Sequence, residues 1–199
     1  MRIVVLLSAL GLNALLPANA DMVEHPLCPI VQHQIQVNLE DRESDVALAE
    51  SRLEATRAIF DMAEKLNKDG LIERIRYLAF KYENDTATID LERRRLLLER
   101  HKAQRDIYVA FCSHSGDERR TRIQAAQRRY EQTDCRRLGE DLAIAEIDLA
   151  YQKEVLTSVK DLRENNVATL DEVILAELDV EQARQRVEHY SKRARACAD

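Results

Sequence analysis

Residues 162–183 read LRENNVATLDEVILAELDVEQA. Asn165 and Asn166 interrupt a helical pattern, Thr169 with Glu172 three residues on can form a capping box, and Val173, Ala176, Val180 and Ala183 restart an apolar stripe. The stretch therefore predicts a helix, a tight turn and a second helix. Ninety-six residues earlier the chain repeats the pattern: LNKDGLI at 66–72 stands where LRENNVA stands at 162–168, and DVALAE at 45–50 aligns with DLAIAE at 141–146. An internal repeat of this kind builds a fold from copies of one supersecondary unit.

The rest of the composition agrees with helices. The chain has 199 residues, 33% of them charged and 5% aromatic, a balance typical of long helices and coiled coils. No proline follows Pro29, so nothing in the remaining sequence forbids a helix interior. Residues 1–20 have the form of a signal peptide: a basic start at Arg2, an apolar run, and the small-x-small site Ala18-Asn19-Ala20. That run is too short to span a membrane, and no other stretch approaches the required ~18 apolar residues. The expectation is an exported, all-α chain. It divides into the signal peptide at 1–20, a first helical-hairpin repeat at 21–116 with its tip near residue 70, and a second at 117–199 with its tip near residue 166.

In the first repeat Val46, Ala49, Leu53, Thr56, Phe60 and Ala63 step by three and four, the seam of a coiled coil. The equivalent positions in the second are Leu142, Ala145, Leu149, Gln152, Leu156 and Val159. Gly70 suits a left-handed C-cap, and Asn166 takes the same place in the second repeat. Upstream, residues 30–39 fit both a strand alternation and a helix, and helix is favoured because no sheet partner exists. Ser115 with Glu118 offers another capping box, and Gly139 a kink or break. Two antiparallel long hairpins in tandem, with four main helices, follow.

Four cysteines in an exported chain suggest two disulfides. In an antiparallel hairpin, residues equidistant from the tip lie side by side. The midpoint of Cys28 and Cys112 is residue 70, and that of Cys135 and Cys197 is residue 166. Both midpoints fall on tips located without the cysteines, so the pairs Cys28–Cys112 and Cys135–Cys197 are expected, each clamping the open base of one hairpin. Loops of this length make each bond worth on the order of 3–4 kcal/mol.

No constellation supports catalysis or a cofactor. His25, His33, His101, His114 and His189 form no HxxxH or HExxH pattern, there is no GxSxG, and no glycine loop could cradle a phosphate. The spacings of the cysteines suit neither zinc nor thiol redox chemistry. The chain carries a formal net charge of −6, yet residues 93–137 hold thirteen Arg and Lys against six Asp and Glu. Spread around helices in an exported protein with no aromatic platform, these read as solvated faces rather than a nucleic-acid surface.

Taken with its tips, the sequence resembles the TolC-like outer-membrane efflux factors, whose periplasmic part is a tandem repeat of long helical hairpins. The residues that carry the resemblance are Asp69-Gly70-Leu71-Ile72 at the first tip, and Asn166-Val167-Ala168-Thr169-Leu170-Asp171 with the following Ala176 and Ala183 at the second. The likeness covers residues 39–100 and 135–196. It implies that Gly70, Leu71, Ile72, Val167, Thr169 and Asp171 meet a periplasmic adaptor or another efflux or type I secretion component. It also implies lateral assembly into a trimer, and a periplasmic location associated with the outer membrane. Family members insert membrane β-strands beside the hairpins, each needing ~9–11 residues. The segment 106–116 is too short for a pair, so the likeness is to the helical tunnel portion alone. A periplasmic coiled-coil chaperone or stress-sensing protein is the alternative expectation.

Overall fold

Among residues 28–197, which the computed structural model describes, four helices run back and forth: α1 Cys28–Lys68, α2 Arg74–Ser113, α3 Gly116–Glu164 and α4 Leu170–Arg195. The expected signal peptide and His25 lie outside the described residues. No strand occurs among the described residues, and residues 30–39 belong to α1. None of the four helices is long and apolar enough to cross a membrane.

The helices form a line. α1 packs on α2, α2 on α3 and α3 on α4; among the described residues α1 makes no contact with α3 or α4, nor α2 with α4. Cross-helix pairs fix the antiparallel register: Glu50–Arg95 at 2.8 Å joins α1 to α2, Asp106–Arg129 at 2.8 Å joins α2 to α3, and Lys160–Glu177 at 2.8 Å joins α3 to α4. The α2–α3 interface is the most extensive, so the two repeats share packing across the connection between them. That connection is only His114 and Ser115, with Gly116 at φ +56° opening α3.

A line of helices has no central core. Ten of the seventeen buried apolar residues are alanines, which let helix axes approach closely but bury little area each. The first-repeat seam lies as expected: Ala49, Leu53, Thr56 and Ala63 are buried, Val46 and Phe60 half-buried, with Ala49 and Leu53 packed against Ala87 and Leu91 of α2. The second-repeat seam is only partly buried. Ala145 is, whereas Leu142, Leu149, Gln152, Leu156 and Val159 are half-exposed, and α3 instead buries Leu138, Asp141, Asp148 and Ser158. The physical reason is that α3 lies between two neighbours, so its buried positions divide between two faces.

Two local expectations are corrected. Ser115 stands at the N-cap of α3, but its side chain makes no capping hydrogen bond; Glu118 is instead drawn to His114 Nδ1 at 3.2 Å and Arg122 Nε at 3.0 Å. Gly139 does not break α3, which is continuous through it with nothing within 4 Å of a would-be Cβ.

Cys28 is joined to Cys112 and Cys135 to Cys197, with Cα–Cα separations of 5.9 and 5.5 Å. These are the pairs the midpoints give. Their heights differ from the expected basal clamps, however. The first lies at the base, but Cys135 is nineteen residues into α3, about 28 Å along it at 1.5 Å per residue. α3 continues basewards past the end of α4 because it is 49 residues long against 26.

Ion pairs stitch the line together. Asp141, 8% exposed, accepts from Arg137 Nη1 at 2.7 Å, and Arg93 Nε lies 2.8 Å from it as an ion pair without hydrogen-bond alignment. Arg94 bridges Asp90 at 2.8 Å and Asp45 of α1 at 3.8 Å, and Asp134 faces Arg137 and Arg100 at 3.3 and 3.4 Å. Replacing Asp141 with Ala leaves two arginines without their shared carboxylate and is expected to lower stability in urea denaturation by about 3 kcal/mol. Gly139→Ala, two residues away in open space, is expected to raise it by about 0.5–1 kcal/mol.

Candidate partner-docking tips

The two tips are built by the same hydrogen bonds, residue for residue at the repeat offset. In the first, Asp69 N–H donates to Lys65 O at 3.1 Å, Gly70 N–H to Asn67 O at 3.1 Å and Leu71 N–H to Leu66 O at 2.8 Å. In the second, Asn165 N–H donates to Asp161 O at 3.3 Å, Asn166 N–H to Arg163 O at 3.0 Å and Val167 N–H to Leu162 O at 2.8 Å. This is the Schellman arrangement, which satisfies the last carbonyls of a helix by turning one residue left-handed. That residue is Gly70 at φ +68° in one tip and Asn166 at φ +59° in the other.

The turn pushes its next residue outward. Leu71 is 72% exposed and Val167 69% exposed, an equal presentation of one aliphatic side chain at each apex. Ile72 is half-buried and its counterpart Ala168 buried, so the residue after the apex anchors the turn. Because α1 and α3 run parallel, both tips project from the same end of the array.

The helices leaving the tips start differently. At α4, Thr169 N–H donates to Glu172 Oε2 at 2.6 Å and Glu172 N–H to Thr169 Oγ1 at 3.3 Å, a complete capping box. The backbone hydrogen bond from Thr169, helped by its hydroxyl, holds the Glu172 carboxyl below the usual carboxylate range. Asp171 is exposed in the same first turn, where the helix dipole favours an acid. At α2 the cap position is Glu73, which makes no side-chain cap.

One feature of the second tip escaped sequence reasoning. While Ala176, Val180 and Ala183 are buried, with Val173 half-buried on the same stripe, Leu170, Ile174, Leu175 and Leu178 are all at least half exposed. With Val167 they form a second apolar stripe on the outer side of the edge helix. The signal was the i, i+4, i+8 spacing of Leu170, Ile174 and Leu178, hidden by the stronger inner stripe.

Elsewhere, an open groove of about 360 Å³ lies between α2, α3 and α4, lined by Tyr82, Arg93, Asp141, Asp148, Arg186 and Tyr190. Its charges are mutually paired, Arg93 with Asp141 and Arg186 with Asp148, and Tyr82 stacks on Tyr151 with ring centroids 4.7 Å apart. Burial, then the Asp148 carboxylate, raises the pKa of both tyrosines. His101 Nδ1 lies against Leu97 O at 2.7 Å and His33 and His189 are exposed. No group of three or more metal-ligating side chains gathers among the described residues. Of the thirteen basic residues at 93–137, eleven make ion pairs, several with carboxylates outside that segment such as Glu50, Glu92 and Asp141.

Compared with protein-family models, curated proteins and solved structures, the chain matches none.

Thr169→Ala removes the hydroxyl half of the capping box, which accepts from Glu172 N–H, and is expected to lower stability by about 1 kcal/mol. Because the Glu172 pKa is depressed in the folded state, its contribution is present above about pH 4.5 and is lost as the pH falls through the folded pKa. Urea titrations of the wild type and Glu172→Gln should therefore converge in acid, where Glu172 is protonated, and a gap between them independent of pH would show that the carboxylate does not take part.

Proposed function

We propose that this is an exported, TolC-like helical protein of an efflux or type I secretion system, working in the periplasm in association with the outer membrane. It acts by binding and assembly, presenting its hairpin tips to a periplasmic adaptor and its helix faces to neighbouring helices. The observation that carries this reading is the pair of tips: two apices with the same hydrogen bonds, a left-handed residue at the same position and an equally exposed aliphatic side chain, facing one way. A turn needs Gly or Asn at its apex, but it does not need an exposed Leu71 or Val167 there. An apolar side chain held at a tip by a rigid turn loses little entropy on docking, which is what a recognition element requires. Two disulfides suit an oxidising compartment.

A specific observation also favours the second reading, a periplasmic chaperone. Such a protein needs exposed apolar surface to grip unfolded chains, and the outer stripe Leu170, Ile174, Leu175 and Leu178 offers one.

The two readings separate in one pair of assays. Leu71→Glu combined with Val167→Glu alters exposed residues and leaves the turn bonds intact. If the tips recognise an adaptor, co-purification of a periplasmic adaptor with the wild type disappears in this variant. If the protein is a chaperone, the variant still suppresses aggregation of a reduced client, and Ile174→Glu with Leu178→Glu abolishes that suppression.

A further inference from the structure

α1 is an edge helix with a neighbour on one side only, yet it carries two apolar stripes. The inner one packs on α2. The outer one consists of Ile30, Val37, Leu48, Ile59 and Met62, all exposed, with Leu48 68% exposed. Eleven residues are close to three whole turns at 3.6 per turn, so Val37, Leu48 and Ile59, spaced by eleven and eleven, stand in one row. Ile30 and Leu66 lie eighteen residues either side of Leu48, five turns each way, and extend that row to both ends of the helix. Ser44, Ser51 and Ala55 lie beside the row near Leu48, and Asp41, seven residues before it, falls on the row's edge on the side of Arg52.

The spacing is the same read from either end. A second α1 laid antiparallel on the first with its Leu48 against this one sets Val37 opposite Ile59 and Ile30 opposite Leu66. Charge agrees with this register. Arg52 and Asp41 are exposed and make no ion pair among the described residues, whereas Arg42, Asp45 and Glu50 beside them do. In the antiparallel register Arg52 of one copy lies within a helical turn of the partner's Asp41, on the same side of the row, and symmetry makes the contact twice. The outer stripe of α4 is not an equivalent occupant: it spans only residues 167–178, about 17 Å, against about 48 Å from Ile30 to Met62.

From this we infer that the outer face of α1 is an isologous interface, pairing two copies of this chain antiparallel about a two-fold axis at Leu48. A self-complementary patch is what such an axis demands, since each residue i that meets j must also be met as j by i. The tips of the two copies then point in opposite directions and stay uncovered, so the inference does not rest on adaptor docking.

The test is the mass of the oxidised full chain by sedimentation equilibrium at micromolar concentrations. A dimer is expected, weakened by roughly tenfold or more in Leu48→Glu, which sets two carboxylates against each other on the axis. Leu48 is exposed in the single chain, so circular dichroism of the variant should match the wild type. Arg52→Asp should also weaken the dimer, and Asp41→Arg with Arg52→Asp should restore it. Register is read with a short bis-maleimide, which the two native disulfides do not consume. A mixture of Val37→Cys and Ile59→Cys should cross-link between the two variants, and neither should cross-link with itself. A wild type that remains monomeric, a dimer indifferent to Leu48→Glu, or self-cross-linking of Val37→Cys overturns the inference.

Discussion

Among the described residues each helix packs only on its neighbours in sequence, and the other features of the structure follow from that constraint. A line of helices is one side chain thick, so it cannot close around a hydrophobic centre. The buried apolar positions are accordingly mostly alanine, with leucines at intervals. Close approach of the helix backbones replaces bulk apolar burial as the source of cohesion, and that source is weak per residue. The remaining cohesion comes from staples: two disulfides that close long loops, and a chain of ion pairs running from Asp45 through Arg94, Asp90, Arg93, Asp141 and Arg137 to Asp134. Arginine suits such a chain because its planar fork can hold two carboxylates at once.

The same constraint explains the surface. Inner helices α2 and α3 have neighbours on both sides and bury residues on two faces, including the acids Asp141 and Asp148 with their arginine partners. Edge helices have one neighbour each but are also two-faced: α1 exposes Leu48, Ile59 and Met62, and α4 exposes Leu170, Ile174 and Leu178. A helix with two apolar stripes and one neighbour leaves area in water that association would remove. Binding and assembly thus draw on the same patterning that built the line.

Along the line, function-bearing positions are held with different stiffness. The tips are the best-defined turns, with three matched backbone hydrogen bonds each and a left-handed residue that few others could replace without strain. The two disulfides hold at different heights, one at the base and one midway along α3, because α4 is barely half the length of α3. The first part of α3 consequently rests on α2 alone, and its arginines pair within α3, as Arg122 with Glu118, or with α2, as Arg129 with Asp106.

By itself the sequence determined everything that depends on spacing along the chain. The tips at Gly70 and Asn166, the Thr169–Glu172 box, the α1 seam and the cysteine pairing are all local or mirror relations about a turn, and period and offset encode these directly. What only the tertiary structure decided is how many neighbours each helix has. Seam positions of α3 such as Leu149 and Leu156 are half-exposed, Asp141 is buried, and Leu48 and Ile174 face water, because a heptad pattern marks an apolar face without saying what covers it. Ser115 and Gly139 were ambiguous for the same reason. A complete capping box needs an acid that no basic neighbour has taken, as Arg122 takes Glu118, and a glycine permits a helix to break without imposing it.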